Sequence, residues 1–270
     1  MSRHEGDGPA MSGSKRKIYS APALEKGLDI LEFLAASPES VSLSSLANRL
    51  HRSVGEIFRM LAVLEQRQYV AATPGSDKYQ LTMKMLQLAH MHLPINMLVN
   101  AASSPMRGLA QRTGQSCHLA VLDDTFIRVI ARQESFADLS FSVRVGTHAP
   151  VFQSCSGNVL YAFADAAARG QILDRVARAS DTALDMAAIN RRAASIREQG
   201  WYAAKSAKTV GITDIGYPVF DHRGTVSAVL AIPYLDRLDI DSKADQELVR
   251  SELSKAAAEI SDALSARAPD

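Results

Sequence analysis

Residues 42–67 decide the fold of the first part of the chain, and they read SLSSLANRLHRSVGEIFRMLAVLEQR. Ser42 can cap a short helix over residues 43–50, in which leucines and an alanine recur at helical spacing. Residues 51–52 form a turn, and a second helix is predicted over residues 54–67. Two helices joined by so short a turn predict a helix-turn-helix.

The second of these helices has a clear start and two distinct faces. Ser53 stands three residues before Glu56, which is the spacing of a capping box. The helical period predicts a buried stripe of Ile57, Leu61 and Leu64, with Phe58 beside them. The residues predicted to face the other way are Gly55, Glu56, Arg59, Ala62, Val63 and Gln66.

The segments on either side complete a small domain. A first helix is predicted by one apolar stripe, which consists of Leu24, Leu28, Leu31 and Leu34. Two β-prone runs, residues 69–73 and 78–82, flank the Pro-Gly turn at residues 74–77 and predict a hairpin. Three helices followed by a hairpin predict a winged helix-turn-helix over residues 21–82.

Charge is unevenly distributed along the chain. The 270 residues include 30 basic and 29 acidic side chains, and this net charge of +1 excludes a polycationic nucleic-acid coat. Residues 41–84 include six basic and three acidic side chains and therefore have a local charge of +3. A polar arm over residues 1–20, which we expect to be disordered, adds the basic triplet at residues 15–17. Contact with nucleic-acid phosphates requires a local excess of this kind.

Beyond the hairpin, the patterning changes from helical to mixed. Residues 83–93 predict a linker helix that Pro94 ends, within a linker over residues 83–96, and the next helix is expected to start or break near Pro105. Residues 97–270 predict an α+β domain with five or six strands, at about residues 117–122, 125–132, 139–145, 214–220 and 225–233.

The end of the chain predicts one more helix. Ser242 and Asp245 have the spacing of a second capping box. The residues that this helix is expected to bury are Leu248, Leu253, Ala256, Ile260 and Leu264.

Two further features indicate the compartment. The two cysteines, Cys117 and Cys155, are too few for a disulfide framework and predict reduced thiols. Residues 1–20 lack the apolar stretch of a signal peptide, and the densest apolar run, residues 226–234, is too short to span a bilayer. We expect a soluble cytoplasmic protein with no membrane partner, no metal and no other cofactor.

Four segments of the first part of the chain match a known family: ALEKGLDIL at residues 23–31, LSSLA at 43–47, FRML at 58–61 and KYQL at 78–81. Through them, residues 21–89 resemble the N-terminal domain of the IclR family of bacterial transcriptional regulators. The resemblance continues through residues 145–162 and through Gly200-Trp201, Gly211-Ile212 and the closing segment from 218, so it covers about residues 21–265. It implies a GAF/profilin-like α+β domain that binds a small effector and is joined by the linker helix to the winged domain.

For nucleic acid, the resemblance implies that a homodimer, or a dimer of dimers, binds a double-stranded DNA operator. Arg59 is the first choice for a base or groove contact, with pairing to a neighbouring carboxylate as its alternative. Gly55 and Glu56 replace a Ser-Thr pair that is frequent in the family; Glu56 could accept a hydrogen bond from cytosine or only complete the capping box. The candidate phosphate contacts are Ser44, Arg52, Ser53 and Lys78.

For the effector, the resemblance points to residues, most of them polar, on the segments that match the family's pocket walls. They are Ser116, His118, Ser154, Cys155, Ser156, Gly157, Asn158, Ile212, Asp214 and Ser227. The loop that enters the helix at Gly157 offers free N–H groups that suit a small carboxylate. Asp214 replaces a cysteine that is common in the family; it favours a hydroxylated or mixed-charge ligand, such as a small organic or sugar acid, or it holds a cation or belongs to a structural hydrogen-bond network.

Other functions remain as alternatives. Cys155 and His118 could form a thiol–imidazole pair of a small-molecule hydrolase with an accessory helical domain, although no spacing supports it. The winged domain could instead bind a partner protein. The resemblance favours a regulator of a catabolic operon, more often a repressor, without catalytic residues.

Overall fold

The computed structural model describes residues 20–91, 93–180, 183–237 and 242–266. The chain divides into two compact units, Met1–Met91 and His92–Asp270. The predicted arm, except for Ser20, and the side chain of Ser242 lie outside the described residues. Within the described ranges, no helix is both long enough and apolar enough to cross a membrane.

The first unit is a winged helix-turn-helix. Its elements are α1 (Pro22–Ala36), β1 (Val41–Ser42), α2 (Leu43–Arg49), α3 (Val54–Gln66), β2 (Val70–Ala72), β3 (Lys78–Leu81) and α4 (Lys84–Met91). The strands form an antiparallel sheet in the order β1-β3-β2, so the predicted hairpin gains a short third strand that the sequence did not indicate. His51 has a φ of 52°, which is the left-handed conformation that turns the chain between α2 and α3.

The core of this unit differs in two places from the predicted stripes. The buried residues are Ile30, Leu34, Leu46, Ala47, Ile57, Leu61 and Val70. Leu24 and Leu28 are exposed, because α1 contacts the core through Ile30 and Leu34 near its end. The prediction that Phe58 packs beside the core is wrong: its side chain is 53% exposed, because it lies about 100° around the helix from Ile57.

The start of α3 is fixed by a complete capping box. The Ser53 hydroxyl accepts a hydrogen bond from the N–H of Glu56, and the Glu56 carboxylate accepts one from the N–H of Ser53 at 3.1 Å. Lys26 on α1 donates to the same carboxylate at 2.6 Å. The hydrogen bond from Lys26, followed by those from Ser53, lowers the pKa of Glu56 to about 2. Glu56 therefore joins α1 to the beginning of α3.

We expect Ser53→Ala to destabilise the first unit by about 1 kcal/mol, because the N–H of Glu56 loses its side-chain acceptor and the Glu56 carboxylate loses the hydroxyl that donates to it. Hydrogen–deuterium exchange of the full chain should show faster exchange of the first-turn amides of α3. Ser53→Thr is the control, since it keeps the hydroxyl and should keep the protection. Equal protection in the alanine variant would contradict a stabilising role for the cap.

The second unit is an α+β domain built on one antiparallel sheet. Its elements are α5 (Leu93–Thr113), β4 (Cys117–Asp123), β5 (Phe126–Gln133), β6 (His148–Pro150), a 3-10 turn (Val151–Gln153), α6 (Cys155–Phe163), α7 (Ala166–Ala179), α8 (Met186–Gln199), β7 (Tyr202–Lys205), β8 (Ile212–Phe220), β9 (Val226–Leu235) and α9 (Ser242–Ser265). The strand order is β6-β5-β4-β9-β8-β7.

Helices cover both faces of this sheet, and the residues of β9 contribute to the core on each face. Leu230 and Ile232 belong to the core shared with α5 and α9, whereas Val229 and Ala231 belong to the core shared with α6 and α8. A strand that is buried on both faces needs apolar residues at every position. This explains the dense apolar run at residues 226–234.

Several predicted boundaries in the second unit are corrected. Residues 139–145 form an irregular loop instead of a strand, because the edge of β5 is already paired: Val129 exchanges hydrogen bonds with Gly146 and Thr147, and β6 follows. Helix α5 continues through Pro105, and Pro94 lies in its first turn. In α9, Leu248 is 48% exposed while Val249 is buried, so the buried stripe is displaced by one residue there.

Candidate functional sites

One face of α3 is directed away from the core of the first unit. Gly55, Arg59, Ala62 and Gln66 are exposed, and they lie within an arc of about 60° around the helix. A Cβ atom added at Gly55 would meet nothing within 4 Å, so the surface in front of this face is open. Arg59 forms no ion pair with any described residue, so the alternative of a paired arginine is not observed.

The other candidate nucleic-acid contacts are also on the surface. Ser44, Arg52 and Lys78 are exposed and lie on α2, the turn and β3, respectively. Ser53 is also exposed, but its hydroxyl already takes part in the hydrogen bonds of the capping box. Glu56 accepts from Ser53 and Lys26, so of its two possible roles the structure shows the capping one.

The basic side chains around α3 are not neutralised by acidic ones. In residues 41–84, the six are Arg49, Arg52, Arg59, Arg67, Lys78 and Lys84, and none of them forms an ion pair in the described part of the chain. The carboxylate nearest the start of α3, that of Glu56, is paired with Lys26 instead. With six basic and three acidic side chains, residues 41–84 therefore keep a net charge of +3.

The second unit contains a cavity of about 340 Å³ on the α6 side of the sheet. Strands β4, β5, β8 and β9, the start of α6 and two loops form its walls. The lining residues are His118, Ile127, Val129, Phe141, Ser142, Val143, Arg144, Thr147, Ala149, Gln153, Ser154, Cys155, Ser156, Ser206, Ala207, Lys208, Thr209, Asp214 and Ala231.

Five of the ten predicted effector residues meet in this cavity, although they come from three separate elements. His118 is on β4, Ser154, Cys155 and Ser156 are at the start of α6, and Asp214 is on β8. The strand order places β4 and β8 on either side of β9. This topology brings residues nearly 100 positions apart to one site.

The other five predicted residues lie outside the lining. Ser116 accepts a hydrogen bond from the N–H of Ser135 at 3.0 Å, and Ser227 is close to the hairpin between β8 and β9. Ile212 is buried at the start of β8. Gly157 and Asn158 support the cavity wall from behind, as described next.

The wall at the start of α6 depends on close packing. A Cβ atom at Gly157 would lie 2.1 Å from the carbonyl oxygen of Val151, so only glycine lets the 3-10 turn pack on the helix. The Asn158 amide donates to the carbonyl groups of Phe152 and Ser154 and accepts from Arg192. These contacts hold the loop that places Ser154 and Cys155 at the cavity.

The start of α6 presents hydrogen-bond donors. The Ser154 hydroxyl caps the helix by accepting from the N–H of Gly157 at 3.0 Å. Within the described residues, the N–H groups of Cys155 and Ser156 have no acceptor, and both residues line the cavity. Free N–H groups at the positive end of a helix favour an anionic group.

His118 and Asp214 are ionisable residues of the cavity lining. His118 is 7% exposed, its Nδ1 atom has no partner in the described structure, and burial lowers its pKa to about 4. The imidazole is therefore neutral at pH 7. Burial raises the pKa of Asp214 to about 6, and no described residue donates a hydrogen bond to its carboxylate.

The cavity is unsuited to thiol catalysis. Burial, and then the charge of Asp214, raises the pKa of Cys155 well above its usual value. Its thiol donates to the carbonyl of Tyr202 at 3.4 Å rather than to His118. A nucleophilic cysteine needs a lowered pKa, and a neutral thiol cannot supply the thiolate. Among the described residues, no group of three or more His, Cys, Asp or Glu could bind a metal ion.

Two loops supply lining residues that the sequence did not indicate. Phe141, Ser142, Val143 and Arg144 belong to the loop that was predicted as a strand, and residues 206–209 follow β7. Arg144 and Lys208 are exposed cations at the cavity. Sequence reasoning missed residues 206–209 because β7 was not predicted; its pairing of Ala204 with Asp214 is what brings that loop to the site.

Comparison with known proteins agrees with both units. A family model described as the IclR helix-turn-helix domain matches residues 23–74, and one described as the bacterial transcriptional regulator IclR C-terminal matches residues 91–262. The HTH-type transcriptional regulator KdgR of Escherichia coli is 31% identical over 218 residues, which are 80% of this chain and 82% of that protein.

Solved structures show the same fold. The IclR structure from Thermotoga maritima has a TM-score of 0.71 at 22% identity and covers 90% of this chain and 98% of that one. An IclR homolog from Microbacterium hydrocarbonoxydans, complexed with 4-hydroxybenzoate, has a TM-score of 0.70 at 23% identity and covers 90% and 99% of the two chains.

Proposed function

This chain belongs to the IclR family of bacterial transcriptional regulators, and we propose that α3 binds an operator while the cavity of the second unit binds an effector that alters this binding. The proposal assigns residues 21–82 to DNA, 83–96 to the linker and 97–270 to the effector. One observation carries it above the others: the free N–H groups of Cys155 and Ser156 line a cavity of about 340 Å³, which is large enough for a small molecule. Buried polar groups without a partner are rare, and a ligand that accepts hydrogen bonds would provide one for these N–H groups.

The chemistry of the cavity favours a small acid that also carries a hydroxyl group. The free N–H groups of Cys155 and Ser156 would bind the carboxylate, with Arg144 and Lys208 adding positive charge. Asp214 accepts hydrogen bonds and would bind the hydroxyl. The relative that was crystallised with 4-hydroxybenzoate bound a molecule of this class. A sugar acid has the same two groups.

The linker helix supports assembly into a homodimer or a dimer of dimers. Helix α4 and the residue before it expose five large apolar side chains, which are Met83, Met85, Leu86, Leu88 and Met91. So many apolar groups on one short helix favour burial against another surface, and a second copy of the chain is the partner we propose. An effector that changes the distance between two DNA-binding units would then change operator affinity.

The family and the absence of an activated thiol favour a regulator without catalytic activity, acting in the cytoplasm as a repressor of a catabolic operon. The name KdgR and the ligand 4-hydroxybenzoate belong to relatives, and they guide only the choice of compounds to test.

A thermal-shift screen tests the effector site directly. We expect at least one sugar acid, hydroxylated aromatic acid or small keto acid to raise the melting temperature of the full chain by several degrees. At about one hundred times its Kd, a ligand stabilises a protein by about 2.7 kcal/mol. Thr147→Trp, which fills the cavity, should abolish the shift, and Ser227→Ala, which lies outside the lining, should retain it. A shift that survives Thr147→Trp unchanged would place the ligand elsewhere.

A further inference from the structure

The outward face of α3 is more apolar than a solvated helix face would be. Val54, Phe58 and Ala62 are all exposed and follow one another at intervals of four residues, so they form a continuous apolar stripe. Val54 and Phe58 are 51% and 53% exposed. The core of the unit does not use this stripe, because Ile57 and Leu61 occupy the buried face.

The surroundings of the stripe are basic. Arg59 follows Phe58 directly, Arg52 precedes the helix, and neither forms an ion pair with a described residue. Of the two acidic residues on α3, Glu56 is paired with Lys26, and Glu65 accepts from the N–H of Ala72. A second copy of the same basic surface would be repelled. The occupant that fits is a polyanion that also presents apolar groups.

The major groove of DNA has this combination. Phosphates flank it, and thymine is the one base of the four that presents a methyl group there. Apolar side chains, phenylalanine among them, contact that methyl group. Small side chains beside an aromatic one let the helix approach the base edges, and Gly55 and Ala62 are the small neighbours of Phe58 here.

We propose that Phe58 is a specificity-determining residue that contacts the C5-methyl group of thymine in the operator, with Val54 and Ala62 beside it. The proposal rests on DNA binding by α3 and extends it from contact to sequence choice. Arg59 supplies hydrogen bonds from the adjacent position. Phe58 therefore supplies the part of recognition that hydrogen bonds cannot provide.

Replacing thymine by deoxyuridine tests this contact, because the change removes only the methyl group. Duplexes that bind the full chain are first selected from a random pool, and each thymine of the selected site is then replaced in turn. At one or more positions in each half-site, we expect deoxyuridine to weaken binding by about three- to fivefold, which corresponds to the burial of one methyl group. Phe58→Ala should bind the thymine and deoxyuridine duplexes equally at those positions.

Phe136→Ala is the matched control, because Phe136 is also exposed, at 59%, but belongs to the second unit. This variant should keep the full preference for thymine. A melting curve of each variant checks that it is folded.

Three results would overturn the proposal. Wild-type binding that is unaffected by deoxyuridine at every position would exclude methyl recognition while leaving DNA binding intact. A Phe58→Ala variant that keeps the preference would assign the contact to another residue. Selection of no duplex by the wild-type chain would overturn DNA binding by α3 itself, and this proposal with it.

Discussion

Arg59→Ala is expected to lower the affinity of the full chain for its selected operator by about tenfold or more. A bidentate contact between arginine and guanine is worth about 1–3 kcal/mol, and a dimer would lose one contact in each half-site. Arg59 is exposed on α3 and unpaired among the described residues, so it is available for such a contact. Mobility shifts with the selected duplex and with a scrambled one measure the loss.

The pattern of the loss matters as much as its size. Arg59→Ala should relax the preference for the selected duplex, because a base contact is lost. Lys78→Ala should weaken both duplexes equally and reduce the slope of log K against log salt by about 1, as expected for a phosphate contact. Arg178→Ala, on α7 of the second unit, is the control that should change neither. Sequence-specific binding by Arg59→Ala at physiological salt, equal to wild type, would contradict the assignment of α3.

Asp214→Asn is expected to stabilise the second unit at neutral and higher pH. Burial raises the pKa of this carboxyl from 3.8 to about 6, so the folded chain binds the proton more tightly than the unfolded chain does. The free energy of unfolding therefore falls as the pH rises from about 4 to about 6. Above about pH 6, the charged carboxylate lowers it by about 3 kcal/mol at most. The variant removes this cost. Its advantage should shrink as the pH falls below about 6 and vanish near about 4.

Urea unfolding followed by tryptophan fluorescence measures this effect cleanly. Trp201 is the one tryptophan of the chain and belongs to the second unit, so its fluorescence reports on that unit. Asp138→Asn, at an exposed position of the same unit, is the control and should leave the free energy of unfolding at about pH 8 unchanged. A gain for Asp214→Asn that is the same at about pH 4 and about pH 8 would contradict a destabilising charge at residue 214. A destabilising residue in a cavity indicates a requirement other than stability, and ligand binding is the one we propose.

Local features of the first unit could be predicted from the sequence. The capping box of Ser53 and Glu56 and the spacing of Ile57 and Leu61 involve only neighbouring residues, and both are confirmed. Phe58 was placed wrongly because helical spacing defines a stripe but not its width. The tertiary packing of α1 and α2 on α3 sets that width, and no local pattern encodes it.

The cavity was only partly predictable for a related reason. The family resemblance predicted that residues at the start of α6 and Asp214 belong to the site, and the structure places both in the cavity lining. The loops that complete it depend on strand pairing: residues 139–145 alternate like a strand, but the edge of β5 is taken by Gly146, Thr147 and β6. Which segment pairs with the edge of β5 depends on the rest of the sheet. The sequence of residues 139–145 alone therefore predicted a strand where the structure has a loop.

The link between the cavity and the operator is tested most directly by one pair of binding curves. The Kd of the full chain for its selected operator is measured without and with a saturating concentration of the strongest compound from the thermal-shift screen. We expect the Kd to change by about fivefold or more, and the operator should change the Kd of the compound by the same factor. A compound that loses its binding in Thr147→Trp, yet leaves the operator Kd of the wild-type chain unchanged, would contradict the regulation proposed here.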